Sequence, residues 1–107
     1  MQTLIQVVCN EKQKGSMREA IASDPRFSDF NLQIYFKDPE RPFGWAKIHS
    51  TENKRGAINV TWNGSTRVLE CRVITKLGNK PNTIIGDFLN YLLKRHFKKI
   101  KVINIFP

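Results

Sequence analysis

Two runs in which apolar and polar residues alternate, 57–62 and 65–75, flank the dipeptide Asn63-Gly64. No other feature constrains the fold as tightly. Asn-Gly is the preferred sequence for a two-residue type I′ turn, which needs positive φ at both positions. Such a turn fixes the register. Trp62 is expected to face Ser65 and Asn59 to face Val68, and a slip by one residue would turn every side chain to the wrong face. Ile58, Val60 and Trp62 then share the core face with Leu69, Cys71 and Val73. Ala57, Asn59 and Thr61 share the opposite face with Thr66, Val68, Glu70 and Arg72.

The flanking segments supply the other elements. Residues 3–9 read as a strand. Ser16-Met17-Arg18-Glu19 is a capping-box pattern opening a short helix, with Met17, Ala20 and Ile21 on one side and Ser23-Asp24-Pro25 as its stop. Over residues 30–37, Leu32, Ile34 and Phe36 alternate with Asn31, Gln33 and Tyr35, as in a half-buried strand. Asp38-Pro39-Glu40-Arg41-Pro42 is turn chemistry, and another strand is expected over 43–49. After a break at Gly78-Asn79-Lys80-Pro81, Asn82 or Thr83 is expected to cap a helix running to about Phe97. Ile85, Phe88, Leu89 and Leu92 form its apolar stripe, and Asp87, Asn90, Lys94 and Lys98 fall opposite. A last strand covers 101–106. The expected fold is α+β in the order β-α-β-β-β-β-α-β, a mainly antiparallel sheet with one long C-terminal helix packed on one face. The chain is long enough for one core, so a single domain over 1–107 is expected.

Charge narrows the class of partner. From Lys76 to Pro107 there are seven basic residues and one acid, Asp87, so this third carries six of the nine net positive charges. A concentrated positive field favours a polyanion, most often nucleic acid. Hydrophobic content of 40% with 25% charged residues is ordinary globular composition. No apolar run approaches the ~20 residues that span a bilayer, and the first residues lack the pattern of a secretion signal. Cys9 and Cys71 are too few for a disulfide framework and lie in apolar runs, as reduced structural thiols do. Together these point to the cytoplasm, with no membrane partner.

The candidate contact residues lie mainly in the segment Lys94-Arg95-His96-Phe97-Lys98-Lys99-Ile100-Lys101. Cations at a helix C-terminus are favoured by the helix dipole, but two or three would satisfy that preference. Lys94, Arg95, Lys98, Lys99 and Lys101 are therefore expected to meet phosphates, with little sequence specificity. Lys54, Arg55 and Lys47 extend the patch if their loop folds toward it. Trp45 and Tyr35 are candidate stacking surfaces for unpaired bases. Neither an RNA-recognition pattern nor a helix-turn-helix is present.

Glu70 and Arg72 share a face with Asn59 across the hairpin. Over residues 57–105 this layout resembles the restriction-endonuclease-like superfamily of metal-dependent nucleases. There, an Asp on one hairpin strand and a Glu-x-Lys on the next hold Mg²⁺ and position water. The resemblance implies a degenerate or minimal nuclease, with Asn59 in place of the Asp and Arg72 in place of the Lys. Both replacements weaken the chemistry, since Asn is a neutral ligand and Arg does not substitute for Lys. His49 and His96 have no partners at metal-ligand spacing, and no phosphate-cradling glycine loop occurs. No catalytic residue, metal or cofactor is expected. Nucleic-acid binding leads; a nuclease-like domain and an interaction module for an acidic protein are the alternatives.

Overall fold

The computed structural model of the chain describes residues 2–42, 44–52, 56–75 and 82–107. It is α+β, with six strands in one antiparallel sheet and two helices. In chain order the elements are β1 (Gln2–Cys9), α1 (Met17–Ala22), β2 (Leu32–Tyr35), β3 (Trp45–Ser50), β4 (Gly56–Asn63), β5 (Val68–Thr75), α2 (Asn82–Arg95) and β6 (Ile100–Phe106). Short 3-10 turns occupy Phe27–Phe30 and Phe97–Lys99. The strands lie in the order β2-β3-β4-β5-β1-β6, so β1 is interior and β6 is an edge. No helix among the described residues is long and apolar enough to cross a membrane.

Strand periodicity decides which face is covered. Ile5, Val7 and Cys9 of β1 lie with Leu32, Ala46, Ile48, Ile58, Val60, Leu69, Cys71 and Val73 in one buried cluster. Met17 and Ile21 of α1, Phe27, and Ile84, Phe88, Tyr91 and Leu92 of α2 complete it. Burying each large aliphatic side chain contributes roughly 1.5–3 kcal/mol, so this cluster is the main source of stability. The alternate residues of every strand point to the other face, against which neither helix packs. Ser16 caps α1 as its sequence requires, its hydroxyl accepting from the Glu19 backbone N–H at 3.2 Å.

The β4–β5 turn differs from the two-residue form. Asn63 pairs with Val68, leaving a four-residue loop, 64–67. The Asn63 side-chain oxygen accepts from the backbone N–H groups of Ser65 (3.0 Å) and Thr66 (3.3 Å). This side-chain turn takes the place of the backbone turn that Asn-Gly alone favours. The left-handed residue is Arg67, with φ 60, and Gly64 has no positive φ. Asn59 consequently faces Arg72 rather than Val68, and Thr61 faces Glu70. The shift is four residues along β5, an even number, so the core and outer faces stay as the sequence pattern assigns them.

The stripe of α2 is also rotated. Ile84, Phe88, Tyr91 and Leu92 are the buried residues, whereas Ile85 and Leu89 are half-buried and Leu93 is exposed. Tyr91 causes the difference. Its ring meets Phe27 and Phe30 edge-on at 4.7 and 5.2 Å, and its hydroxyl is hydrogen-bonded inside the protein. A phenol buries well once its polar tip has a partner. The helix ends at Arg95, before the 3-10 turn, rather than continuing to Phe97.

Candidate nucleic-acid interface

The end of α2, the following turn and the start of β6 carry Lys94, Lys98, Lys99 and Lys101, all exposed. Two hydrogen bonds fasten this turn to the end of β1. The Asn10 backbone N–H donates to the Lys99 carbonyl and the Asn10 side-chain amide donates to the Lys98 carbonyl, both at 3.0 Å. The Arg67 guanidinium donates to the carbonyls of Asn10, at 2.8 Å, and Gln13. An open hollow of about 800 Å³ results, lined by Asn10, Glu11, Gln13, Lys14, Arg67 and Lys101 among others. Glu11 is the one acid among its lining residues.

Lys14 and Arg67 therefore join the cations of the C-terminal segment, although neither belongs to it in sequence. The signal that places them is topological. β1 runs antiparallel to both β5 and β6, so the end of β1 lies beside the starts of the other two. A linear reading of charge has no access to that order.

Arg95 is drawn away from the patch. Its Nε and terminal nitrogen donate to the two carboxylate oxygens of Asp24 at 3.1 and 3.0 Å. Asp24 also accepts from the Tyr91 hydroxyl at 2.8 Å and from the Arg26 backbone N–H at 3.0 Å. Burial alone would raise the Asp24 carboxyl, but these hydrogen bonds outweigh it and hold the pKa at about 2. An ionised Asp24 only accepts, so Tyr91 donates to it and His96 Nε2–H donates to the phenol oxygen, 2.8 Å away. Burial pushes the Tyr91 phenol up, helped by its bond to Asp24, and it pushes the His96 imidazole down. This network ties α2 to the loop after α1. Arg95 thus serves the fold, with its charge largely neutralised.

Lys47 and Trp45 lie on the uncovered face of the sheet, opposite the face on which α2 packs, and are not brought to the helix end. Lys54 and Arg55 lie outside the described residues. On the uncovered face a row of paired positions crosses all six strands: Tyr35, Lys47, Asn59, Arg72, Leu4 and Phe106. Trp45 is only 7% exposed. Arg41 lies over its ring at 5.0 Å and Tyr35 meets it edge-on at 6.1 Å. A second hollow, about 350 Å³, opens here and is lined by Arg41, Trp45, Asn59, Thr61, Glu70 and Arg72 with their neighbours. The Trp45 indole N–H and the Asn59 side-chain oxygen are buried in this region without a hydrogen-bond partner. Leaving such an atom unsatisfied costs about 1–3 kcal/mol.

The three positions of the nuclease-like layout do converge, since Asn59 is opposite Arg72 and Glu70 is two residues along the same strand. Glu70 is the one carboxylate lining that hollow. Among the described residues, no group of three or more His, Cys, Asp or Glu is placed to hold a metal ion. Comparison with protein-family models, curated proteins and solved structures finds no match in any of the three.

Proposed function

We propose that this protein binds nucleic acid, holding phosphates at the end of the sheet where α2, β6 and the loops after β1 and β4 meet. The observation that supports this most is the gathering of Lys14, Arg67 and Lys101 from three chain segments around one hollow, with Lys98 and Lys99 exposed on the turn whose backbone Asn10 fastens beside it. Lys94 stands on the adjoining helical turn. Cations placed by tertiary structure in this way exceed what a helix C-terminus alone would attract. Contacts of this type act on the backbone and carry no sequence information.

The test is a titration of a labelled oligonucleotide at several salt concentrations. Four or five engaged cations give a slope of roughly −3 to −4.5 in log affinity against log salt. Changing Lys98 and Lys99 together to Gln should flatten the slope by about two contacts' worth and weaken all sequences alike. Stability should barely move, because exposed charges contribute little to it. Absence of binding at low salt, or an unchanged slope in the double variant, would overturn the reading.

A further inference from the structure

We infer that the hollow on the uncovered face holds a single unpaired base, and that its polar groups select guanine. The inference extends the nucleic-acid reading from phosphates to bases, and it stands or falls by a separate measurement. Glu70 and Arg72 are both exposed and alternate along β5, so they stand on one face with backbone positions about 7 Å apart along the strand. Neither makes an ion pair or a hydrogen bond with another described side chain. One is therefore a free two-oxygen acceptor and the other a free donor fork.

Guanine is the base that complements such a pair. Its N1–H and N2–H donors lie side by side and suit a carboxylate, while O6 and N7 on the adjacent edge accept from a guanidinium. Adenine offers no two adjacent donors, and uracil offers one. Beside this pair, the Trp45 indole N–H and the Asn59 side-chain oxygen are buried without a hydrogen-bond partner, so the walls of the hollow hold polar groups not yet satisfied within the protein. Trp45 is more than nine-tenths buried, so its N–H cannot turn to bulk water. The Arg41 guanidinium, already lying over the Trp45 ring, supplies a flat cationic surface against which a base stacks. A volume of about 350 Å³ is within the range of small-molecule sites and admits one base. No helix packs over this face, so an unpaired strand can lie along it. Lys47 and Tyr35 flank the hollow on the neighbouring strands.

The same chemistry serves a base within a strand or a free guanine nucleotide, and two measurements separate them. In the first, fluorescence anisotropy compares a uridine octamer with octamers carrying one central guanosine, inosine or adenosine. The expected result is that guanosine binds about tenfold more tightly than adenosine. Inosine, which lacks the N2 amine, should fall between them. Glu70→Gln should reduce the guanosine octamer to within about twofold of the adenosine one. In the second, the indole N–H resonance of Trp45 is followed by NMR during additions of GMP or AMP, with Trp45→Phe assigning the peak. A shift with GMP alone, lost in Glu70→Gln, supports the site for the free nucleotide even if no octamer binds. Octamers that bind with the same salt slope but equal affinity, together with no selective GMP shift, overturn the base pocket and leave the phosphate reading standing. If neither octamer nor GMP binds, both readings fall.

Discussion

Asp24→Asn tests the network that anchors α2. The Asp24 side chain is 5% exposed and receives four hydrogen bonds, from Arg95 twice, Tyr91 and the Arg26 backbone. Its pKa is lowered from 3.8 to about 2. At 1.36 kcal/mol per unit this corresponds to about 2 kcal/mol of stability at neutral pH. For a domain near 100 residues the variant should melt roughly 8–16 °C lower. The pH dependence has a definite sign. The carboxyl is depressed in the folded state, so its contribution is complete above about pH 4 and is lost as pH falls through about 2. His96 is also held below its usual pKa, so both proteins lose stability as pH falls below about 6.5, where the unfolded histidine takes up its proton first. The difference between wild type and variant, followed by urea unfolding at several pH values, should be about 2 kcal/mol at pH 7 and shrink below pH 4 as Asp24 takes up its proton. Below about pH 6.5 it should first widen, because the Asp24 charge favours protonated His96 and its loss lowers that imidazole further. A gap under about 0.5 kcal/mol at pH 7, or one that does not shrink in acid, would refute the argument. Release of Arg95 should also steepen the salt slope of oligonucleotide binding by about one contact, near 0.9.

Two further outcomes test the turns. Gly44 has φ +90, and a Cβ there would meet the Trp62 carbonyl oxygen at 3.3 Å, whereas Gly64 has no positive φ and meets only the Trp62 indole nitrogen at 3.6 Å. Gly44→Ala should lose about 1 kcal/mol or more in denaturant unfolding and Gly64→Ala less than about 0.5; equal losses would contradict the four-residue loop. Arg67→Ala and Arg67→Gly both remove the bonds to the Asn10 and Gln13 carbonyls, but only alanine keeps the steric cost of a left-handed backbone. The glycine variant should be more stable by roughly 1 kcal/mol, and the reverse order would show that residue 67 is not left-handed.

The legible parts of the fold were those set by neighbours in sequence. Ser16 caps α1 because its hydroxyl needs only the N–H three residues on, and the strands show their faces through period-two burial. The β4–β5 turn departs from the two-residue form because the Asn63 side chain competes with the backbone for the same N–H groups. The faces survive that departure because the displacement along β5 is even. Tyr91 takes the buried position that the apolar stripe assigns to Leu89, because its hydroxyl finds a partner in Asp24, remote in the chain. The same limit applies to the candidate interface. The basic segment is visible as charge, but the recruitment of Lys14 and Arg67 depends on the sheet order, and the loss of Arg95 to Asp24 on the packing of α2 beside the loop after α1.

That order also bears on how the chain acquires its structure. Leu4 pairs with Arg72 on one side and with Phe106 on the other. During synthesis the first strand is made long before either neighbour, and its apolar residues Ile5 and Val7 have no ladder to join. Hairpins β2–β3, β3–β4 and β4–β5 close over short separations, while insertion of β1 between β5 and β6 requires the longest loop closures in the molecule. Contacts of such range slow folding and prolong exposure of unpaired apolar strand. The sheet therefore grows from the β2–β5 hairpins toward the β6 edge, and β1, which precedes them all in the chain, joins after them.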